Sequence, residues 1–194
     1  MRNALALVFV VSALSSVSAA QAGTSLAEID QIGTMNAVAT IDQSGSSNTA
    51  YVHQAGGSPS ASISMRGSHN EADIVQQGAG VDRFDAVITG AGNQLDAQQR
   101  ALVGTNIATA DIRGNDNSAS IVQTALGGDA NSIRLTQQGS DNSAALSQVG
   151  GGNQMGLTQK GDGNGAALSQ TGYGLGLTIT QTGGQSVSIA QTGH

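Results

Sequence analysis

Apolar and small polar residues alternate in short runs along this chain, as in Ala144 and Leu146 before Gln148, Ala166 and Leu168 before Gln170, and Leu177 and Ile179 before Gln181. A period of two predicts strands with one buried face. The intervening residues, such as Ser143, Ala145 and Ser147 or Thr178 and Thr180, then form a mild, wettable outer face. Each run closes in a cluster such as Gly150, Gly151, Gly152 and Asn153, residue types that tolerate positive φ in tight corners. Every strand is therefore expected to reverse quickly.

The runs are also locked in phase. With Gly as the register mark, units close at Gly33, Gly45, Gly56, Gly67, Gly78, Gly90, Ala101, Gly114, Ala125, Gly139, Gly150, Gly161, Gly172, Gly183 and Gly193, fifteen units that are mostly eleven residues long. Two places before the mark, Gln holds twelve of the fifteen slots: Gln31, Gln43, Gln54, Gln76, Gln99, Gln123, Gln137, Gln148, Gln159, Gln170, Gln181 and Gln191. Met65, Ile88 and Ile112 hold the other three. From Asn131 to Gln170 the phrase Asn, five residues, Gln, then Gly two places later occurs four times, opened by Asn131, Asn142, Asn153 and Asn164. Asn48, Asn70 and Asn117 join the same set.

A constant short period is the mark of a solenoid, in which each unit packs only on its neighbours. Two strands and two turns make a rung of about twenty-two residues. Rungs spaced by about 4.8 Å give a flat all-β solenoid of about seven and a half rungs, roughly 34 Å tall. In that stack equivalent Gln and Asn side chains lie above one another, so each amide donates to one neighbour and accepts from the other. A disordered polar segment is the competing reading of the amide-rich composition. The apolar alternation, held in phase with the amides, disfavours it. Extra residues near Gly104 and from Gly127 to Ala130 read as bulged turns or loops.

Composition sharpens the picture. The chain has no Cys, no Trp, two Phe, two Tyr, one Pro and 28 Gly, too few large side chains for a conventional core. Stability is expected from repeated backbone pairing and amide ladders, without a disulfide scaffold. Residues 1–22 have Arg2, an apolar run from Ala4 through Val17 and the small-residue site Ala20, Gln21, Ala22, the layout of a cleavable secretory signal peptide. Residues 23–194 then form one exported solenoid. The apolar run is short for a membrane span.

Without Arg2, thirteen acids face six bases, a balance that disfavours nucleic-acid binding. Glu28, Asp30, Asp42, Glu71, Asp73, Asp82, Asp85, Asp96 and Asp111 crowd the first two thirds and read as outward, solubilising charges. From Asn131 onward only Arg134, Asp141, Lys160 and Asp162 are charged.

No reactive constellation emerges. A β-helical lyase or hydrolase needs acids clustered in one groove, whereas Asp141 and Asp162 fall in turns. Calcium-binding rolls repeat every nine residues with carboxylates at each turn; here the period is eleven and Asn dominates. His53, His69 and His194 share no ligand spacing. Thr171, Thr182 and Thr192 are expected in one column, a short array reminiscent of ice-binding solenoids. No catalytic, cofactor-binding or metal-ligating residue is assigned, no cofactor is expected, and the chain is not expected to be an enzyme.

Ser or Asn, five residues, Gln, four residues, Asn, five residues, Gln resembles the repeat of the curlin family, the subunits of curli fibres. Asn131, Gln137, Asn142, Gln148, Asn153, Gln159, Asn164 and Gln170 carry the resemblance. It implies a β-solenoid passed through a dedicated outer-membrane pore, polymerising with itself at the cell surface into amyloid fibres for adhesion, aggregation and biofilm matrix. A nucleator subunit and host or matrix surfaces are the implied partners. The chain departs from the family pattern in opening most first half-repeats with Asn rather than Ser. It also lacks the Gly/Asn-rich leader of enteric major subunits. Both solenoid edges are expected to lie open, so copies stack head to tail without closing. The alternative is a monomeric secreted solenoid adhesin that binds a ligand along one face.

Overall fold

A computed structural model describes residues 9–10, 14–20, 24–33 and 36–193. As the alternation predicts, the chain is all-β. One sheet holds β1 (Phe9–Val10), β3 (Leu26–Ile32), β5 (Thr49–Ala55), β7 (Glu71–Gly78), β9 (Gln94–Ala101), β11 (Ser118–Ala125), β13 (Ser143–Gly151), β15 (Gly165–Tyr173) and β17 (Ser186–Thr192). The other holds β2 (Leu14–Ala20), β4 (Val38–Ser46), β6 (Ser60–Ser68), β8 (Val81–Ala91), β10 (Thr105–Asn115), β12 (Asn131–Gln138), β14 (Gln154–Lys160) and β16 (Gly176–Thr182). We call them the odd and even sheets. The chain alternates between them, so each strand pairs in parallel with the strand two further on.

Register follows from the period. Gln99, Gln123, Gln148 and Gln170 are direct partners on consecutive strands of the odd sheet, because units of nearly equal length bring like residues level. Inward positions alternate with outward ones on the strands from β3 to β17, and the inward set between the sheets forms one apolar core. Within it, volume is conserved across rungs: Phe84 stands over Ala61 while Ala86 stands over Ile63, and Leu95 and Ala97 reverse the order of Ala72 and Ile74. A bulky residue in one column is answered by a small one beside it, as close packing requires.

The corners need backbone that side chains resist. Gly114 has φ +125°, and a Cβ there would enter the carbonyl of Gly139 on the next rung. Where Ala101 and Ala125 replace Gly, the connections 102–104 and 126–130 follow; these are the loops read from the extra residues. The second is tied down by Gly152 N donating to Asp129 O at 3.1 Å.

Of the expected leader, residues 1–8, 11–13 and 21–22 lie outside the described residues. Leu14–Ala20 pairs with β4, Leu14 opposite Val38 through Ala20 opposite Ser44, and Phe9–Val10 pairs with β3.

Candidate functional site: the amide columns

The Gln slot is an inward position toward the end of each strand from β3 to β17. In the odd sheet Gln31, Gln54, Gln76, Gln99, Gln123, Gln148, Gln170 and Gln191 form one unbroken column. Each Nε2 donates to the Oε1 of the next, from 2.6 Å between Gln31 and Gln54 to 3.0 Å between Gln123 and Gln148. In the even sheet the column runs Gln137, Gln159, Gln181.

A second amide hydrogen crosses the core. Gln54 Nε2 reaches Val38 O at 3.1 Å, Gln76 reaches Ser60 O at 3.0 Å, Gln148 reaches Ser132 O at 3.0 Å and Gln181 reaches Gly165 O at 2.9 Å. Gln43, Gln123, Gln137, Gln159 and Gln191 make the same bond to Leu26, Ile107, Ser118, Ser143 and Gly176. A Gln that makes both bonds, such as Gln54, Gln76, Gln123, Gln148 or Gln159, therefore stitches rung to rung and sheet to sheet. This is why an amide and not a hydroxyl fills the slot: it offers two donors and an acceptor at the end of a reach long enough to cross.

Asn occupies the corner before most strands from β5 to β15. Asn48, Asn70, Asn93, Asn117, Asn142 and Asn164 form the column entering the odd sheet. Each Nδ2 donates to the preceding Oδ1 at 2.8–3.0 Å. That Oδ1 also accepts the next Asn backbone N–H. From Asn48 through Asn142, Nδ2 also bonds a turn carbonyl of the other sheet, from Gly67 O to Gly161 O. Asn131 and Asn153 lie in the second column with Asn106, and Asn153 N donates to Asn131 Oδ1 at 3.2 Å. The two kinds of column run in opposite senses, Gln donating toward the C-terminal end and Asn toward the N-terminal end.

Three residues of these columns were not singled out in the sequence: Asn93, Asn106 and Asp82. Asp82 also corrects the reading of the acids as outward, because it is buried at 3 % exposure. It stands six places before Ile88, the same offset at which nine other corners carry Asn before the Gln slot or its replacement. Its Oδ1 accepts from Asn106 Nδ2 at 2.8 Å and its Oδ2 accepts from Ala101 N at 3.3 Å. Burial pushes its carboxyl up to about 6, against the opposing pull of those two hydrogen bonds.

The even Gln column is interrupted where Met65, Ile88 and Ile112 stack directly on one another. Ile112 lies opposite Gln137, whose buried Oε1 finds no donor among the described residues; Gln43 Oε1 is in the same condition. An orphaned acceptor costs about 1–3 kcal/mol, whereas each fully buried apolar side chain contributes about 1.5–3 kcal/mol. The apolar block therefore outweighs the break it makes.

The threonine expectation is corrected. Thr171 and Thr192 are partners in the odd sheet, but Thr182 pairs with Lys160 in the even sheet, because consecutive units lie on opposite faces. His53 Nδ1 lies 2.9 Å from Asp30 Oδ2, His69 sits in a corner with φ +56°, and His194 lies outside the described residues. Among the described residues no group of three or more His, Cys, Asp or Glu could hold a metal ion.

What this geometry does chemically is extend itself: each rung presents to the next the hydrogen-bonding pattern it received. Residues 24–56, 36–64 and 128–161 match the family model described as the curlin associated repeat. Comparison with curated proteins returned no match, and neither did comparison with solved structures. With matched stretches in both halves of a single stack of in-register rungs, the chain carries curlin associated repeats on a β-solenoid, a combination that points to a structural protein rather than to a known enzyme class.

Proposed function

We propose that this chain is the structural subunit of an extracellular curli-type amyloid fibre, exported behind a cleavable signal peptide and used in adhesion, aggregation and biofilm matrix. The observation that carries the reading is the polarity of the columns. A C-terminal edge ends in a Gln amide donor such as that of Gln191, and an N-terminal edge begins with a Gln acceptor such as that of Gln31, so a second copy continues the column only head to tail. Parallel strand pairing continues across the same junction. The curlin repeats support the same reading, and with it the nucleator, export pore and matrix contacts of such systems as partners.

The test is seeded assembly. The chain is diluted from denaturant and followed by amyloid-dye fluorescence with and without preformed fibres. Expected are a lag abolished by seeds and fibres with a meridional reflection near about 4.8 Å. A stable monomer that neither seeds nor elongates would sink the fibre reading and leave a solenoid adhesin in its place.

A further inference from the structure

The two outer faces of the solenoid carry opposite charge, and the charges are separated along the axis as well. On the odd sheet, Glu28, Tyr51, Asp73 and Asp96 form one outward column, with Glu71 beside Asp73. Asp73 and Asp96 are direct neighbours on adjacent strands. Among the described residues the one Lys or Arg on this face is Arg100, at its rim. Burial, and next the charges of Asp96 and Glu71, hold the Asp73 carboxyl above its ordinary range, with His53 pulling the other way. The patch is thus under-compensated within its own molecule.

The even sheet is the converse. Asp42 lies outward on β4, and the other two outward acids, Asp85 and Asp111, are held on their own strands by Arg83 at 3.4 Å and Arg113 at 2.8 Å. On β12 and β14 the outward positions carry Arg134 and Lys160 and no acid. Both are exposed, and neither makes an ion pair among the described residues.

We propose that the odd-sheet face of one copy docks laterally on the even-sheet face of a second copy, bringing Glu71, Asp73 and Asp96 against Arg134 and Lys160. The occupant is a second copy because the chain itself presents both halves of the complementary pair, on opposite sides and on parallel, flat, strand-built surfaces. These acids lie on β7 and β9 and the bases on β12 and β14. Matching them staggers the copies by about two and a half rungs, roughly 12 Å. The contact joins different patches, so it does not close and propagates sideways. Its use as fibre bundling rests on the fibre reading above; the contact itself does not.

The experiment uses the full chain and two variants, R134E/K160E and D73K/D96K, whose substitutions all lie on exposed positions. Self-association of the freshly refolded soluble chain is read by light scattering, and bundle width of any fibres by electron microscopy. Both are recorded between about 50 and about 500 mM NaCl, which shortens the screening length severalfold. Expected is association of the parent that weakens with salt, loss of it in each variant, and its return when the two variants are mixed. D73K/D96K is decisive: it moves the net charge four units toward zero, so a general relief of repulsion would make it associate more. Association that survives in D73K/D96K, or a mixture that stays dispersed, overturns the proposal. If no fibres form, the fibre reading fails alone, because light scattering still decides the contact.

Discussion

Asn106 donates its side-chain amide to Asp82 at 2.8 Å, so an asparagine column begins on a buried carboxylate. The carboxylate supplies acceptors, but it carries a charge that the site does not neutralise. Its folded value of about 6 lies above the ordinary 3.8. Below about pH 4 the group is protonated in both folded and unfolded chains and exacts no penalty. As pH rises through about 6 the unfolded chain is ionised first and stability falls, by about 3 kcal/mol in all. Asp82→Asn is expected to match the parent near pH 4 and to exceed it by up to about that amount near pH 8. Urea midpoints at the two values check this; a gain of equal size at both would mean that burial of charge is not the cause.

Gln148 donates to Gln170 and Ser132 and accepts from Gln123, whereas Gln191 is only half-buried at the last described rung. Gln148→Ala strands partners on both sides and is expected to cost roughly 3 kcal/mol or more. Gln191→Ala is expected to cost less than about 1 kcal/mol. Equal losses in chemical denaturation would show that the columns contribute nothing beyond the slot's own burial.

Inside the apolar block the three positions are not equivalent. Ile112→Gln places a donor against the orphaned Oε1 of Gln137, while Ile88→Gln lies between Met65 and Ile112 with no amide above or below. The substitution at 112 should therefore be milder than that at 88 by about 1 kcal/mol or more. A reversed order would refute the account of the interruption.

Gly114→Ala forces a Cβ into the Gly139 carbonyl at a φ that L residues avoid, and a loss of at least about 2 kcal/mol is expected. Gly128 lies in the 126–130 loop with nothing within 4 Å of an added Cβ. Gly128→Ala is expected to shift the midpoint by less than about 0.5 kcal/mol. The pair separates the turn column from glycine content in general.

The Gln slot, the alternation and the corners were legible because each recurs at a spacing that a single sequence displays. The Asn columns were legible only in part. Asn93 and Asn106 obey the same six-residue offset, yet Asn93 leads to Gln99 and Ala101 rather than to Gln and Gly, and Asn106 leads to Ile112 rather than to Gln. Asp82 was missed because a carboxylate read by type belongs outside; only its offset from Ile88 places it inward. The threonine column failed because the repeat unit is half a rung, and residues one unit apart look in opposite directions. The Gln bonds to the facing sheet were not legible at all. They depend on how the two sheets are set against each other across the core, which no spacing along the chain encodes.

The opposed sense of the Gln and Asn columns has an electrostatic consequence. A file of amides all donating one way adds its dipoles, as a helix does, and the accumulated field grows with length. Parallel strands contribute little net moment of their own, so the side-chain files would dominate. Here Gln files run one way and Asn files the other, and their moments subtract. A stack built on this plan lengthens without charging its ends, and the hundredth rung is added against the same field as the tenth.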